Sequence, residues 1–320
     1  MVSISIVIPV YKGAKTISGV IADLADELPH LTASYEAILV EDDGGDDSWQ
    51  VIRQLSEKYA WVQGIKLMRN AGQHNALLCG IRAAHYDLIV TMDDDGQHPA
   101  SEISKLLQKL DEGYDVVYGT PESKQHNMGR NAASFVIRFA LSSTMGVEAS
   151  RYASAFRVFR TYLRDAFAAY SSPYVSIDVL LTWGTQRFSH VFVEHKERKI
   201  GTSTYTLSKL VNLAVTMLTG FSVLPLRLAS YVGFGLTIFG IILFIYVIPI
   251  RLLLLGYTGV PGFTFLASMI TIFSGAQMFT IGIIGEYLAR MHLRLMEKPP
   301  YVVHQKTGET VSQAEKAITP

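Results

Sequence analysis

Asp87-Leu88-Ile89-Val90-Thr91-Met92-Asp93-Asp94-Asp95-Gly96-Gln97-His98-Pro99 opens as an apolar run with branched side chains and ends in three consecutive carboxylates. The run has the length and composition of a buried strand, and Pro99 with Glu102 marks the first turn of a following helix. Such an acidic knot has two readings. Asp93 and Asp95, at i and i+2 in a turn, can converge on one hard divalent cation, which in turn bridges a diphosphate. The same residues also suit a plain turn and helix cap, and a lone Asp-x-Asp arises about once by chance in a chain of this length. The neighbouring strands decide between the two.

Short runs rich in Val and Ile, at residues 4–10, 37–40, 62–67, 87–92 and 115–118, alternate with amphipathic stretches. This is the βαβ pattern of a mainly parallel sheet. Ligands of such sheets sit beyond the carboxyl ends of the strands. Polar clusters follow the strands directly: Tyr11-Lys12-Gly13, Glu41-Asp42-Asp43-Gly44-Gly45, Arg69-Asn70 and the acidic knot itself. Polar strand ends converging on one place favour the metal–diphosphate reading. Asp42 reads as a ligand whose carboxylate accepts from a nucleobase N–H or from ribose hydroxyls, while Asp46 or Asp47 with Ser48 caps the next helix. The chain has no GxxxxGK[ST] loop, GxGxxG, GxSxG or HExxH. That speaks against an ATPase, a dinucleotide enzyme, an α/β-hydrolase and a zincin.

Bulk composition adds a membrane. Of 320 residues 49% are hydrophobic, and the mean hydropathy is +0.24, high for a soluble chain. Lys plus Arg and Asp plus Glu both number 28, so no global charge points to nucleic acid and any phosphate recognition must be local. The single cysteine, Cys79, allows no internal disulfide or CxxC metal site and reads as a small core residue in a reducing compartment. The N-terminus has no basic region before its apolar run, which Pro9 interrupts; it reads as a strand rather than a secretory signal, leaving the first domain in the cytosol.

Beyond the sheet pattern, residues 128–200 are mixed, with a helical stretch near 130–145 and strands near 155–159 and 190–193, completing a catalytic domain over 1–203. Residues 204–224 have apolar positions at helical spacing interspersed with Lys209 and hydroxyl side chains, as in an interfacial amphipathic helix. Residues 228–250 and 252–285 carry no charge. Each is long enough to cross a bilayer, giving a two-helix hairpin over 225–286. Lys196, Arg198, Lys199, Lys209 and Arg227 precede the first span, Arg290, Arg294 and Lys298 follow the second, and Arg251 alone lies between. The positive-inside rule then puts both termini in the cytosol. Residues 287–320 form a juxtamembrane helix and a tail that is polar and poorly ordered after about Gln305.

At these residues the sequence resembles the family 2 glycosyltransferases of GT-A fold, in the polyprenyl-phosphate branch that includes dolichol-phosphate mannosyltransferases, bactoprenol glucosyltransferases and the undecaprenyl-phosphate formamido-arabinose transferase. The stretches that carry the likeness are 7–11, 40–49, Arg69-Asn70-Ala71-Gly72-Gln73-His74-Asn75, 93–99, 114–119, Phe156-Arg157, 195–205 and Gly285-Glu286-Tyr287-Leu288. The resemblance implies an α/β GT-A catalytic domain with a mainly parallel sheet, then the interfacial helix and the two spans. It implies Pro9, Tyr11 and Asp42 in the nucleotide pocket, and Asp93 and Asp95 as the Mg2+ or Mn2+ ligands with Gln97 beside the metal. Arg130 and Arg198 face the phosphates, and Ser203 and Lys209 contact the lipid phosphate. Arg157 is divided between a functional role and a buried structural ion pair.

The implied reaction is inverting transfer from a nucleotide-diphosphate sugar, UDP-sugar before GDP-mannose, to an undecaprenyl or dolichyl phosphate at the cytosolic face of an inner membrane, by a chain free to form homo-oligomers. A processive polysaccharide synthase would carry QxxRW, which is missing, and a non-catalytic scaffold would not need the acidic motifs to be intact. The chain also departs from the family's pattern. Gly13 stands where many members have an acid, Asp43 replaces a usual glycine, and Thr120-Pro121 stands where many carry an arginine, with Lys124 nearby as its substitute.

Overall fold

The computed structural model describes residues 2–121, 152–172, 175–196, 224–245, 262–296 and 298–308. The chain divides into two compact units, Met1–Val211 with Glu297–Pro320, and Asn212–Met296. The expected helix near 130–145 and the interfacial helix over 204–222 lie outside the described residues.

In the first unit, β1 (Ile4–Val10) is buried at all seven positions. A strand covered on both faces has no use for polar alternation, so it reads as a continuous apolar run. α1 (Ile17–Leu31) follows, with Ile17, Val20, Ile21, Leu24 and Leu28 forming its buried stripe. At about 1.5–3 kcal/mol per buried side chain, that face holds the helix far more firmly than helix propensity does. β2 (Tyr35–Glu41), α2 (Ser48–Lys58), β3 (Val62–Leu67), α3 (Gln73–Ala83), β4 (Leu88–Thr91), α4 (Ile103–Asp111) and β5 (Val116–Pro121) continue the alternation. After β6 (Arg157–Arg160), α5 (Ile177–Leu181) and β7 (Phe188–Val193) complete the catalytic stretch. α3 lies close on the sheet because Gly80 has no side chain: a Cβ there would stand 2.4 Å from Val7 Cγ1.

The sheet has eight strands in the order β7-β5-β6-β4-β1-β2-β3-β8. β1 pairs in parallel with β2 from Ile4↔Tyr35 to Val10↔Glu41, and on its other side with β4 from Ile4↔Leu88 to Val7↔Thr91. The chain therefore winds outward from β1 through β2 and β3, then returns across β1 to β4. The crevice between the ends of β1 and β4 is the topological switch point, where open α/β sheets bind ligands. β6 enters antiparallel between β4 and β5.

One strand departs from expectation. β8 (Val303–Lys306) pairs antiparallel with β3, and Thr307 exchanges bonds with Gly64, donating N–H to its carbonyl at 2.9 Å and accepting its N–H on Oγ1 at 2.8 Å. The described chain is thus ordered past Gln305, with Lys306 in β8 and Thr307 bonded to Gly64. Two prolines at 299–300 followed by Tyr301-Val302-Val303 were the available signal for a new extended segment. Cys79 is buried as expected, and burial pushes its thiol up to about 12.

The second unit holds α6 (Leu224–Ile245) and α7 (Gly262–Leu295). Within α7, Ile272–His292 is 21 residues long with a mean hydropathy of 1.2, sufficient in length and composition to cross a membrane, and none of this stretch is buried. α6 carries a shorter apolar stretch, Leu226–Gly240.

Candidate active site

Ten residues line a cleft of about 390 Å³ at the switch point: Pro9, Val10 and Tyr11 after β1, Asp42 after β2, Asn70, Gly72 and Gln73 at the head of α3, and Asp93 to Asp95 after β4. The polar strand ends read from the sequence do meet in one place.

Each carboxylate of the acidic knot has its own anchor. Gln73 Nε2 donates to Asp93 Oδ1 at 2.7 Å, the Tyr11 amide donates to Asp94 Oδ2 at 3.2 Å, and the Gln97 amide donates to Asp95 Oδ1 at 3.1 Å, closing the turn. Gly96 completes that turn at φ 70°. Burial pushes Asp94 up to about 7, with the charges of Asp93 and Asp95 adding to the rise against the Tyr11 hydrogen bond. The middle carboxylate therefore holds a proton more readily than a free carboxylate does.

Asp42 is buried, and its oxygens accept the amides of Ala71 at 2.6 Å and Gly72 at 2.8 Å. Burial nevertheless raises its pKa, outweighing those two bonds, with Glu41 and Asp43 adding to the rise. Asp43 holds φ 48°, a left-handed conformation that aspartate tolerates better than most residues. This explains how it replaces a glycine. Asp47 stands at the N-cap of α2 without a side-chain cap bond, while Asp46 accepts from Ser48 Oγ at 2.6 Å, from the Ser48 amide at 3.3 Å and from the Ala14 amide at 3.3 Å.

Pro9 and the half-exposed Tyr11 line the cleft as expected. Gln97 is not among the cleft-lining residues. Its side-chain amide donates to the Lys196 carbonyl at 3.3 Å while the Lys196 amide donates to the Gln97 carbonyl at 2.9 Å, tying the segment after β7 to the acidic turn. His98 stacks on Phe156 with ring centroids 4.9 Å apart. Burial, with His195 beside it, brings its imidazole down to about 4. Arg157 is buried in an ion pair with Asp178, its Nε donates to Thr91 Oγ1 at 3.1 Å, and Tyr118 donates to Asp178 at 3.0 Å. Arg130, Arg198, Ser203, Lys209 and Lys124 lie outside the described residues.

Sequence reasoning missed Gln73 and Gly72 as cleft residues, and it gave no role of their own to Asn70 and Asp94, which it had placed among the converging strand ends. Gln73 sits within the stretch 69–75 that carried the family likeness, and its place at the start of a helix behind a strand end was the usable signal. Among the described residues no three His, Cys, Asp or Glu side chains cluster to form a complete metal cage. Two hard carboxylates from one turn are the donor set of a Mg2+ or Mn2+ ion that takes its remaining ligands from a diphosphate and water. Asp93 and Asp95 fit that role.

A mainly parallel sheet with an acidic turn at its switch point and one antiparallel strand wedged beside it defines a GT-A-type α/β glycosyltransferase. The chain belongs to glycosyl transferase family 2, whose family model matches residues 5–170. It is 31% identical to an undecaprenyl-phosphate 4-deoxy-4-formamido-L-arabinose transferase of Pseudomonas savastanoi pv. phaseolicola, over 99% of this chain and 96% of the relative. A Shewanella sediminis protein of the same name is 33% identical over 94% of this chain and 91% of its own. The fold also matches that of the Mycobacterium tuberculosis glucosyl-3-phosphoglycerate synthase solved with Mn2+, UDP-glucose and phosphoglyceric acid. The TM-score is 0.50 at 16% identity, over 68% of this chain and 78% of the other.

Proposed function

We propose that this glycosyltransferase moves a sugar, with inversion, from a nucleotide-diphosphate sugar to a polyprenyl phosphate at the cytosolic face of a membrane. The observation that carries the reading is the extent of the match. Relatives named as undecaprenyl-phosphate sugar transferases align over 94–99% of the chain, through the cleft and the apolar C-terminal helices alike. The names of these relatives make 4-deoxy-4-formamido-L-arabinose the first sugar to test, carried on UDP and ahead of GDP-mannose.

In this reading Pro9, Tyr11 and Asp42 hold the nucleoside, and Asp93 and Asp95 hold a divalent metal on the diphosphate. A metal held there would supply positive charge against the charge that builds on the departing nucleoside diphosphate. Arg130 and Arg198 share the task, and Gln97 fixes the segment that leads to Arg198. The acceptor phosphate is ionised at neutral pH, so no strong general base is needed and the carboxylates stay with the metal. Attack from the face opposite the leaving group inverts the anomeric centre.

Two spans, α6 and α7, anchor the chain, with both termini in the cytosol. Their exposed apolar side chains, Tyr231, Phe234, Met278 and Phe279 among them, suit hydrocarbon better than water. Ser203 and Lys209 supply the contacts to the lipid phosphate at head-group depth. The test is a radiolabelled transfer assay with purified full-length protein, undecaprenyl phosphate and a panel of UDP- and GDP-sugars, with Mn2+ or with EDTA. Metal-dependent formation of a lipid-linked sugar that disappears in Asp93→Asn is the expected result; no transfer from any donor overturns the reading.

A further inference from the structure

Asp42 and Asp93 stand after different strands, β2 and β4, with β1 between them, yet one short segment touches both. The amides of Ala71 and Gly72 bind the two oxygens of Asp42, and the next residue, Gln73, donates its side-chain amide to Asp93 Oδ1 at 2.7 Å. Asn70 Nδ2 adds a bond to the Asp42 main-chain carbonyl at 3.1 Å.

The segment is fixed from behind. Gly72 turns the chain at φ 91°, and its carbonyl accepts the amides of Asn75 and Ala76 at 2.9 and 3.0 Å. Asn75 Nδ2 donates to the Ala71 carbonyl at 2.6 Å. On the far side His74 Nδ1 accepts the Ile177 amide at 3.4 Å, linking the segment to α5. Gln73 therefore leaves a rigid base, although its side chain is exposed. An exposed glutamine gains little from ordering in water, since its rotamer entropy opposes it. A charge-assisted bond to a carboxylate reverses that balance.

We infer that Gln73 is a positioning residue for the metal–diphosphate site: it holds the Asp93 carboxylate in one orientation and ties it, through residues 70–72, to the Asp42 end of the cleft. This rests on the reading of the cleft proposed above. With no complete cage of protein ligands among the described residues, the direction of each carboxylate matters more to metal affinity than it would in a fully enclosed site. The donor matters, since a glutamate at position 73 would set a like charge against Asp93 and an apolar side chain would remove the bond to its Oδ1.

The test uses the full-length protein in detergent, as wild type, Gln73→Ala and Gln73→Met. The methionine keeps the length and bulk of glutamine without its N–H. Mn2+ affinity is measured by electron paramagnetic resonance with saturating UDP, and UDP affinity by calorimetry without metal. The expected result is Mn2+ binding weakened about tenfold in both variants, the size of one lost bond to a charged group, with UDP binding unchanged. Wild-type Mn2+ affinity in both variants, or in Gln73→Met alone, overturns the inference, as does an equal loss of metal-free UDP binding. If the wild type with UDP binds no Mn2+, the metal reading itself falls and the inference with it; if it binds and the variants do not differ, only the inference falls.

Discussion

The Asp94 carboxylate occupies the space that a side chain on residue 13 would need: a Cβ on Gly13 would lie 2.2 Å from Asp94 Oδ2. Gly13 stands where many family members carry an acid, and Asp94 brings an acid to the same corner of the cleft from the opposite strand end. Gly13 and Asp94 thus form one arrangement, anchored by the bond from the Tyr11 amide to Asp94 at 3.2 Å.

Gly13→Ala should therefore act through Asp94. We expect it to lower kcat/KM about tenfold, and to do much less in an Asp94→Ala background, with a coupling of about 1–2 kcal/mol for residues in direct contact. A Cβ at position 13 would also come within 2.8 Å of Val10 Cγ1, so a small residual effect persists in the double variant. Additive effects in the four-enzyme cycle would show that the pair is independent.

Asp42→Asn replaces one of the two accepting oxygens by a donor facing an amide. The buried carboxylate organises residues 70–72 before it meets any ligand, so the variant should lose both stability and nucleotide affinity. A cost of about 1–3 kcal/mol in unfolding free energy is expected, with UDP binding by calorimetry weakened by at least the same factor. Loss of affinity with unchanged stability would instead confine Asp42 to ligand contact.

The legible part of this molecule was the part with a period or a strand end. Runs such as 4–10 and 87–92 announced a parallel sheet because strands buried on both faces are apolar throughout, and the polar residues after them located the cleft. Gln73, Asp94 and β8 were harder because their roles depend on what folding brings opposite them. Gln73 lies 20 residues before Asp93, and β8 finds β3 more than 230 residues after it in sequence. Gln97 sits in the most informative motif of the chain, yet its side chain is taken by the Lys196 carbonyl, a partner that no local pattern indicates. Arg157 was undecided for the same reason, since its partner Asp178 lies on α5.

Acid should loosen the far edge of the sheet through Asp115. Burial works against its charge, but hydrogen bonds from Thr185, Tyr162 and Arg187 outweigh burial and hold the carboxyl below its usual value of 3.8. A depressed carboxylate pKa stabilises the fold above the unfolded value and loses that contribution as pH falls through the folded one. In Asp115→Asn, Tm should drop at pH 7 and should fall less steeply than wild type as the pH is lowered from about 5 to 3. Parallel Tm–pH curves for the two proteins would remove Asp115 from the acid response.

The buried Arg157–Asp178 pair offers the sharpest separation of structure from chemistry. Arg157 is 2% exposed and also donates to Thr91 Oγ1, two residues before Asp93. Arg157→Met leaves the buried Asp178 carboxylate with Tyr118 as its one remaining side-chain donor among the described residues, which should cost about 3–5 kcal/mol. Arg157→Met with Asp178→Leu removes both charges and should recover most of that loss, because an apolar pair of similar volume needs no desolvation of ions. If the pair serves the fold alone, the double variant regains transfer activity along with Tm. Recovery of Tm with activity still lost would place Arg157 in the chemistry through Thr91 and the acidic turn above it.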